Sequence, residues 1–305
     1  MTTQSLPLPL VYHQSAATRD WVRAQTASGR RVALVPTMGA LHEGHLELVR
    51  RARRLADCVV VSIFVNPTQF APHEDFQRYP RTLEQDLQLL ADESVEMVFA
   101  PHPHEMYGER FSTYVTPPAV AQPLEGQFRP DHFRGVCTVV LKLFQIIPAQ
   151  VAVFGQKDYQ QARVIADMTL DFDLPITLEI APTVRQADGL ALSSRNRYLS
   201  AEERGRALAL VTALRQVAQQ HAEGERDAAK LESLMRHTLL QAGVDRIDYV
   251  AVVDPVTLLP LAQPIGEGTA ASSASSDAKD PVAVALIAAH VGHTRLIDNW
   301  LLYRP

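Results

Sequence analysis

Two histidines, His42 and His45, stand three residues apart in the segment "GALHEGH", with Gly44 between them. The segment follows the apolar run Val32–Val35 and precedes apolar residues at helical spacing, so the pair lies where a strand passes into a helix. Backbone N–H groups and the dipole at a helix N-terminus attract anions. Imidazoles there can donate to phosphoryl oxygens, and a glycine lets a ligand approach the backbone. The segment therefore predicts a site that stabilises negative charge growing on a phosphorus centre.

Other interpretations of this segment remain open. It is not GxGxxG, and His45 stands where a Walker loop would carry its lysine after Gly39 and Gly44. Together with Glu43 the two histidines could bind a metal, although HExxH sites space their histidines at i and i+4 and no third ligand is evident. They could also be surface residues at the start of a helix.

A second polar segment, "FGQKDYQQA", follows an apolar strand candidate. Lys157 could neutralise phosphate charge and Asp158 could accept hydrogen bonds from ribose hydroxyls, beside the bare backbone of Gly155. The alternative is an ion pair at the surface of a turn.

Two further segments carry polar groups. Residues 193–196, "SSRN", could form a mobile cationic loop that closes over a nucleotide, or they could belong to a plain linker. Asn66 and Gln69 follow another strand candidate, and their amides suit the hydroxyl and carboxylate of a small polar substrate.

Alternating strands and helices must position these segments. The apolar runs "CVVVSIFVN", "VEMVFAP", "VAVFG" and "ITLEIAPT" predict strands, and "GVCTVVLKLFQIIP" and "QQARVIADMTLDF" predict helices between them. Thr82 with Gln85, and Ser200 with Glu203, each predict a capping box at a helix start. The alternation predicts an α/β fold with a doubly wound parallel sheet that binds its ligand at the carboxyl ends of the strands.

A smaller C-terminal α+β domain is predicted from the change of pattern near residue 185, which divides the chain into domains 1–184 and 185–305. Two helices, "AEERGRALALVTALRQVAQQ" and "LESLMRHTLLQAG", precede three strand candidates, "RIDYVAVVD", "PVAVALIAAHVG" and "TRLIDNWLLY". Residues 266–280 are rich in Ser, Ala and Gly and predict a flexible surface loop.

The composition narrows the class of protein. The 305 residues include 29 Lys plus Arg and 34 Asp plus Glu, and the net charge of −5 indicates neither a nucleic-acid partner nor an anionic membrane surface. Cys58 and Cys137 lie in apolar runs and predict buried free thiols, which is typical of a reducing cytoplasm. We find neither a signal-peptide pattern nor an apolar run long enough to span a bilayer, and expect a cytoplasmic protein.

Together these segments resemble the pantoate–β-alanine ligase (pantothenate synthetase) family of the HxGH nucleotidylyltransferases. The resemblance runs from about Val32 to Asp298, through "PTMGALHEGH", "VSIFVNPTQF", "YPRT", "RPDHFRGV", "FGQKDYQQ", "ADGLALSSRNRYLS" and "TRLIDN". It implies a Rossmann-like fold and a Mg²⁺-dependent homodimer. It also implies that ATP and pantoate form a pantoyl adenylate with loss of pyrophosphate. The amine of β-alanine then attacks the acyl carbon and gives pantothenate and AMP.

Matching motif positions imply individual roles. The residues implied for the ATP phosphates and the transition state are His42, His45, Lys157, Ser193, Ser194 and Arg195. Those implied for the rest of ATP are Met38, which lines the histidine loop, and Gly155 and Asp158 at the ribose. Those implied for pantoate are Gln69 and Gln161, with Asn66 and His132 nearby. Asp86 is the candidate magnesium contact; Gln85 stands where a carboxylate might be expected, and Gln156 where many members carry Glu.

Two other functions compete with this interpretation. Another HxGH enzyme could transfer a nucleotidyl group to a different acceptor, but Gln69, Gln161 and the "SSRN" segment argue against it. A nucleotide sensor without activity could keep the fold alone, but intact His42 and His45 argue against that.

Overall fold

The computed structural model describes residues 7–72, 74–267 and 280–304, which form two compact units. The first unit runs to Gln156 and includes Gln161–Thr183; the second comprises Lys157–Gln160 and the chain from Val184 onward. The division predicted from the sequence assigns Lys157–Gln160 to the first domain, whereas the structure assigns this short segment to the second. The reason is tertiary, since Tyr159 donates from its hydroxyl to the carbonyl of Pro255, 2.8 Å away.

A six-stranded parallel sheet forms the centre of the first unit, in the order β1-β4-β3-β2-β5-β6. Its strands are β1 (Leu10–Tyr12), β2 (Val32–Thr37), β3 (Cys58–Ile63), β4 (Met97–Phe99), β5 (Val151–Gly155) and β6 (Thr177–Ala181). Its helices are α1 (Ser15–Ala27), α2 (Glu43–Leu55), α3 (Leu83–Asp92), α4 (Pro103–Met106), α5 (Glu125–Phe128), α6 (His132–Ile146) and α7 (Tyr159–Asp171). Long β-branched runs suit the inner strands because helices cover both faces of such a sheet.

The order in which the strands are added to the sheet reverses between β2 and β5. The chain moves outward from β2 to β3 and β4, then returns to place β5 on the other side of β2. These two strands pair at Ala33–Val151 and Leu34–Ala152, yet each continues to pair with its outer neighbour as far as Thr37 and Gly155. A doubly wound sheet opens at such a switch point, which is where it binds ligands.

Helix α2 starts at this switch point and packs on the sheet. Leu46, Val49 and Ala52 recur at helical spacing on one side of the helix and join the core that the strands form. Arginines occupy the outer side, where Arg50 pairs with Glu93. The packed apolar side thereby fixes the direction of the helix axis, and with it the place of the helix N-terminus.

The second unit combines two helices with an antiparallel sheet in the order β7-β8-β9. Its elements are α8 (Ala201–Ala222), α9 (Ala228–Gln241), β7 (Arg246–Val253), β8 (Ala283–Val291) and β9 (Thr294–Leu302). Leu210, Leu214 and Met235 from the helices pack with Ile287 of the sheet in one buried cluster. The expected α/β fold with a smaller C-terminal α+β part is confirmed.

Several local expectations can be compared with the structure. The capping box at Ser200 is confirmed, because its hydroxyl accepts from the N–H of Glu203 at 3.2 Å and the Glu203 carboxylate accepts from the N–H of Ser200 at 2.8 Å. The capping box at Thr82 and Gln85 is wrong, since Thr82 begins α3 without a side-chain cap. Strand β1 and helix α1 lie ahead of every predicted element.

Cys58 and Cys137 are buried free thiols, as expected. Most of the loop predicted at residues 266–280 lies outside the described residues. Within the described ranges, no helix combines the length and the apolar character that crossing a membrane requires.

Candidate functional site

The two histidines cap the helix that follows β2. His42 is the N-cap of α2, and its Nδ1 accepts from the N–H of Gly44 at 3.2 Å. In return, the Nδ1 of His45 accepts from the N–H of His42 at 3.3 Å. The ring centroids lie 4.1 Å apart. The pair thus forms a capping box of imidazoles, in positions that Ser or Thr and Glu or Gln usually occupy.

This capping arrangement selects the tautomer of each ring. A nitrogen that accepts a hydrogen bond carries no proton, so a neutral ring that accepts through Nδ1 carries its proton on Nε2. The Nε2–H groups of His42 and His45 are therefore donors at the N-terminus of α2, where the helix itself favours an anion.

Asp86 holds the loop that leads into this helix. Asp86 is only 1% exposed, and its carboxylate accepts from the N–H of Ala40 at 3.0 Å and from the N–H of Leu41 at 2.8 Å. Gly39 and Ala40 both have positive φ, +78° and +52°, and a Cβ on Gly39 would lie 3.0 Å from an oxygen of Asp86. The carboxylate therefore stabilises a backbone conformation that is costly for a residue such as Ala40.

The same contacts bear on magnesium. Both oxygens of Asp86 are engaged by backbone N–H groups, and the hydroxyl of Thr82 donates to them from 3.3 Å. The hydroxyl of Thr82 thus binds Asp86 and does not cap α3 as the sequence predicted. Among the described residues, no group of three His, Cys, Asp or Glu side chains could hold a metal ion. Asp86 acts here as a loop anchor, and its predicted magnesium contact gains no support from this geometry.

Asn66 organises the turn after β3. This residue is 1% exposed and caps the 3₁₀ turn Pro67–Gln69 through its side-chain oxygen, which also accepts from the hydroxyl of Tyr107 at 2.7 Å. Its amide nitrogen donates to Oε1 of Gln69 at 3.0 Å and to the carbonyl of Gly135 at 3.2 Å. The amide of Asn66 is thus occupied by protein partners and orients Gln69.

Gln69 also links this turn to the histidine loop. Its Nε2 lies 3.2 Å from the sulfur of Met38, which follows β2 directly. Two sequence-predicted residues, one implied for ATP and one for pantoate, are therefore in contact. The turn also packs closely against α6 at Gly135. A Cβ on Gly135 would lie 2.2 Å from the carbonyl oxygen of Thr68, so only glycine leaves room for this contact.

A buried polar cluster holds the other end of the turn. His132 places Nδ1 2.9 Å from the carbonyl of Gln69 and Nε2 3.1 Å from Arg129. Because a carbonyl only accepts and a guanidinium only donates, Nδ1 carries the proton and the ring is neutral. Burial, with the nearby positive charge of Arg129, lowers the pKa of His132 to about 4. His132 is therefore a neutral ring that donates from Nδ1 to the carbonyl of Gln69 and so fixes the backbone there.

Arg129 and Glu74 complete this cluster, and sequence reasoning missed both. Arg129 binds Glu74 with two hydrogen bonds of 2.7 and 2.8 Å and donates to the carbonyl of Gln69 at 3.3 Å. Burial alone would raise the pKa of Glu74, but hydrogen bonds and charge from Arg129 outweigh it and lower that pKa. The available signal was the position of Arg129 in "RPDHF", three residues before the selected histidine.

Two predicted residues lie near the end of β5. Gly155 ends the strand, and among the described residues no atom beyond its chain neighbours lies within 4 Å of a Cβ built there. Its φ is not positive either, so neither packing nor backbone conformation requires glycine. A ligand that approaches the backbone would supply such a reason. Gln161 lies half-buried in the first turn of α7.

The remaining predicted residues belong to the second unit. Lys157 and Asp158 lie in the 3₁₀ turn Gln156–Asp158 and pair with each other at 3.3 Å; the side chain of Lys157 is 21% exposed and that of Asp158 is 47% exposed. Ser193 caps the 3₁₀ helix Ser194–Tyr198 by accepting from the N–H of Arg195 at 3.3 Å. The "SSRN" segment therefore starts a short helix, which the linker alternative did not predict.

Comparisons with known proteins show which family this chain is similar to. The model of the pantoate-beta-alanine ligase family matches residues 10–301. The chain is 50% identical over 273 residues to pantothenate synthetase 1 of Bradyrhizobium diazoefficiens, covering 90% of this chain and 91% of that protein. A pantothenate synthetase structure from Thermus thermophilus has a TM-score of 0.87 at 41% identity, covering 97% of this chain and 100% of that one. A pantoate-beta-alanine ligase from Francisella tularensis, complexed with beta-gamma ATP and β-alanine, has a TM-score of 0.75 at 32% identity, covering 96% and 97%.

Proposed function

The chain belongs to the pantoate–β-alanine ligase family, and on that basis we propose how its residues carry out the ATP-dependent joining of pantoate to β-alanine. The observation that carries the proposal is the reciprocal capping of His42 and His45 at the switch point of the sheet. It presents two Nε2–H donors at a helix N-terminus, which is the arrangement that a nucleotide phosphate needs.

In the first step the carboxylate of pantoate attacks the α-phosphorus of ATP. An oxygen–phosphorus bond forms, the bond to pyrophosphate breaks, and pyrophosphate leaves with the electron pair. His42 and His45 donate to the phosphoryl oxygens as negative charge increases there. Because pantoate itself supplies the nucleophile, the protein contributes positioning and charge neutralisation.

Pantoate is held, in this proposal, by the amides of Gln69 and Gln161. The amide of Gln69 is oriented by Asn66 and its backbone carbonyl by His132, so these two neighbours act on pantoate through Gln69. A preorganised amide loses little conformational freedom when it binds a hydroxyl or a carboxylate. Met38 lies against the same amide on the ATP side.

In the second step the amine of β-alanine attacks the acyl carbon of the adenylate. A carbon–nitrogen bond forms, the carbon–oxygen bond to AMP breaks, and the amine gives up a proton. Within the second unit, Lys157, Ser193, Ser194 and Arg195 supply the cation and hydroxyl donors that we assign to the ATP phosphates. We assign Gly155 and Asp158 to the ribose.

Magnesium enters, in this proposal, with ATP. In phosphate-transfer sites Mg²⁺ is bound mainly by substrate phosphates and water, with only one or two carboxylates, so it does not need a cluster of protein ligands. When bound, it supplies charge neutralisation on the phosphates. We further propose that the ligase acts in the cytoplasm, where the buried thiols Cys58 and Cys137 stay reduced, and that it forms the homodimer that the family resemblance implies.

Pyrophosphate release tests the proposed function. The protein is incubated with ATP, Mg²⁺ and pantoate, and AMP and pantothenate are measured after β-alanine is added. We expect release that depends on pantoate, followed by products that depend on the amine. ATP binding without release in the presence of pantoate would overturn the proposal and favour a nucleotide sensor or another nucleotidyl acceptor.

A further inference from the structure

The segment "TRLIDN" lies in β9, and its last two residues are polar yet buried. Asp298 is 3% exposed and Asn299 is 1% exposed. A buried carboxylate or amide destabilises a protein unless hydrogen bonds satisfy it. Their partners therefore indicate what these two side chains do.

Asn299 holds the main chain of Lys157. Its Nδ2 donates to the carbonyl oxygen of Lys157 at 3.0 Å, across 142 positions of the chain. Tyr159 is held two residues further on by its hydrogen bond to Pro255. The short segment that carries Lys157 is thus fixed by tertiary contacts within the second unit.

Asp298 holds a β-hairpin through Arg185. The two side chains form two hydrogen bonds of 2.7 and 2.9 Å, and Arg185 also donates to the carbonyl of Gly189 at 3.2 Å within the turn of the hairpin. Arg185 pairs with Ala191 across the hairpin. Ser193 follows Ala191 by two positions, so the hairpin determines where the "SSRN" segment begins.

Adjacent residues of a strand point to opposite faces of the sheet. Asp298 and Asn299 are adjacent in β9, and the backbone N–H of Asn299 donates to Asp298 at 2.8 Å. Arg185 also donates to the carbonyl of Asn299, at 3.3 Å. One point on one strand therefore anchors both segments of the second unit that carry predicted phosphate-binding groups.

We propose that Asp298 and Asn299 are positioning residues, which fix the segment of Lys157 and the hairpin before Ser193 for binding the ATP phosphates. The inference rests on the proposed function, because that function gives Lys157 and the "SSRN" segment their roles. A misplacement of about 1 Å can reduce an enzymatic rate on the order of 100-fold, so such anchors affect substrate use without contacting substrate.

The variant Asn299→Leu tests the contact to Lys157, because leucine keeps much the same shape and removes the donor. We expect the KM for ATP in pantoate-dependent pyrophosphate release to rise at least about tenfold, and the KM for β-alanine to stay unchanged. The matched control is Asp248→Asn, which removes the charge from a part-buried ion pair to Arg295, 2.7 Å long, in the same sheet. This control shows how far a general weakening of the sheet changes the KM for ATP.

A double-mutant cycle with Lys157→Ala shows whether Asn299 acts through Lys157. Residues that act together have non-additive effects. We expect Asn299→Leu to change the KM for ATP less than about threefold once Lys157 is alanine. A full additional effect in that background would overturn the positioning role, as would an unchanged KM in Asn299→Leu alone.

Two further outcomes are separable. If Asn299→Leu does not fold, judged by urea unfolding, Asn299→Ser replaces it in the same cycle, with the same expected coupling. If the wild-type protein releases no pyrophosphate with pantoate, the proposed function fails. If the wild type is active and the cycle is additive, only the positioning role fails.

Discussion

The variant Asp86→Asn tests whether the carboxylate of Asp86 builds the histidine loop. Asparagine has the same shape but offers one acceptor oxygen where aspartate offers two. One of the two backbone N–H groups, on Ala40 or Leu41, would then face an amide nitrogen that cannot accept. The loop must either leave a buried donor unsatisfied or move.

The expected magnitude follows from these contacts. An unsatisfied buried N–H costs about 1–3 kcal/mol, and the remaining hydrogen bond loses its charged acceptor. We expect the free energy of unfolding to fall by about 2–3 kcal/mol. If the loop moves instead, a similar loss in the transition state corresponds to a decrease of about 30- to 160-fold in rate.

The assay combines urea unfolding with the rate of pantoate-dependent pyrophosphate release at saturating ATP. Glu84→Gln is the matched control, because Glu84 is a carboxylate in the first turn of the same helix, α3, and is not buried. We expect the control to behave as wild type. A titration with Mg²⁺ is included, since a loop anchor leaves the half-saturating Mg²⁺ concentration unchanged.

Two results would refute the reasoning. Wild-type stability together with a wild-type rate in Asp86→Asn would mean that the two hydrogen bonds do not hold the loop. A rate that recovers when Mg²⁺ is raised would instead assign Asp86 to the metal, as the family resemblance implies.

Three further predictions concern the residues around the phosphate and pantoate positions. His45→Asn keeps an acceptor for the cap but loses the Nε2–H donor. We expect a folded protein in which the activation free energy of pyrophosphate release rises by about 3 kcal/mol. A wild-type rate would exclude this role of His45. Glu74→Gln removes the charge that holds Arg129, and we expect a higher KM for pantoate with little change in the KM for ATP; equal changes would contradict the assignment of Gln69 to pantoate. Because the folded pKa of His132 is about 4 and the unfolded value is 6.5, the unfolded chain binds the extra proton between these values. The contribution of His132 to the free energy of unfolding should therefore fall by about 3 kcal/mol from pH 6.5 to 4, and His132→Asn should lose this part of the slope in urea unfolding.

Much of the fold could be predicted because its signals are local. The β-branched runs of β2, β3 and β5 and the helical spacing in α2 each depend on a few consecutive residues. Ser200 and Glu203 form their capping box for the same reason, since both partners lie within one turn. Strand β1 was missed because three residues at a sheet edge carry too short a pattern.

The predicted capping box at Thr82 failed because another partner competes for the same hydroxyl group. Thr82 and Gln85 match a capping box, yet the hydroxyl of Thr82 bonds to Asp86. The carboxylate of Asp86 in turn serves backbone groups that precede it by 45 and 46 positions. No spacing within a helix contains that information.

The sequence alone determined most of the elements, the order of the motifs and the family, because each depends on residue types at short, regular spacing. Only the tertiary structure decided which of the predicted side chains are held by protein partners and which neighbours hold them. Asn66 is engaged by protein partners, His132 is neutral, and Asn299 reaches Lys157. These assignments depend on burial and on hydrogen-bond partners far apart in the chain, since a buried polar group takes whichever partner the fold brings to it.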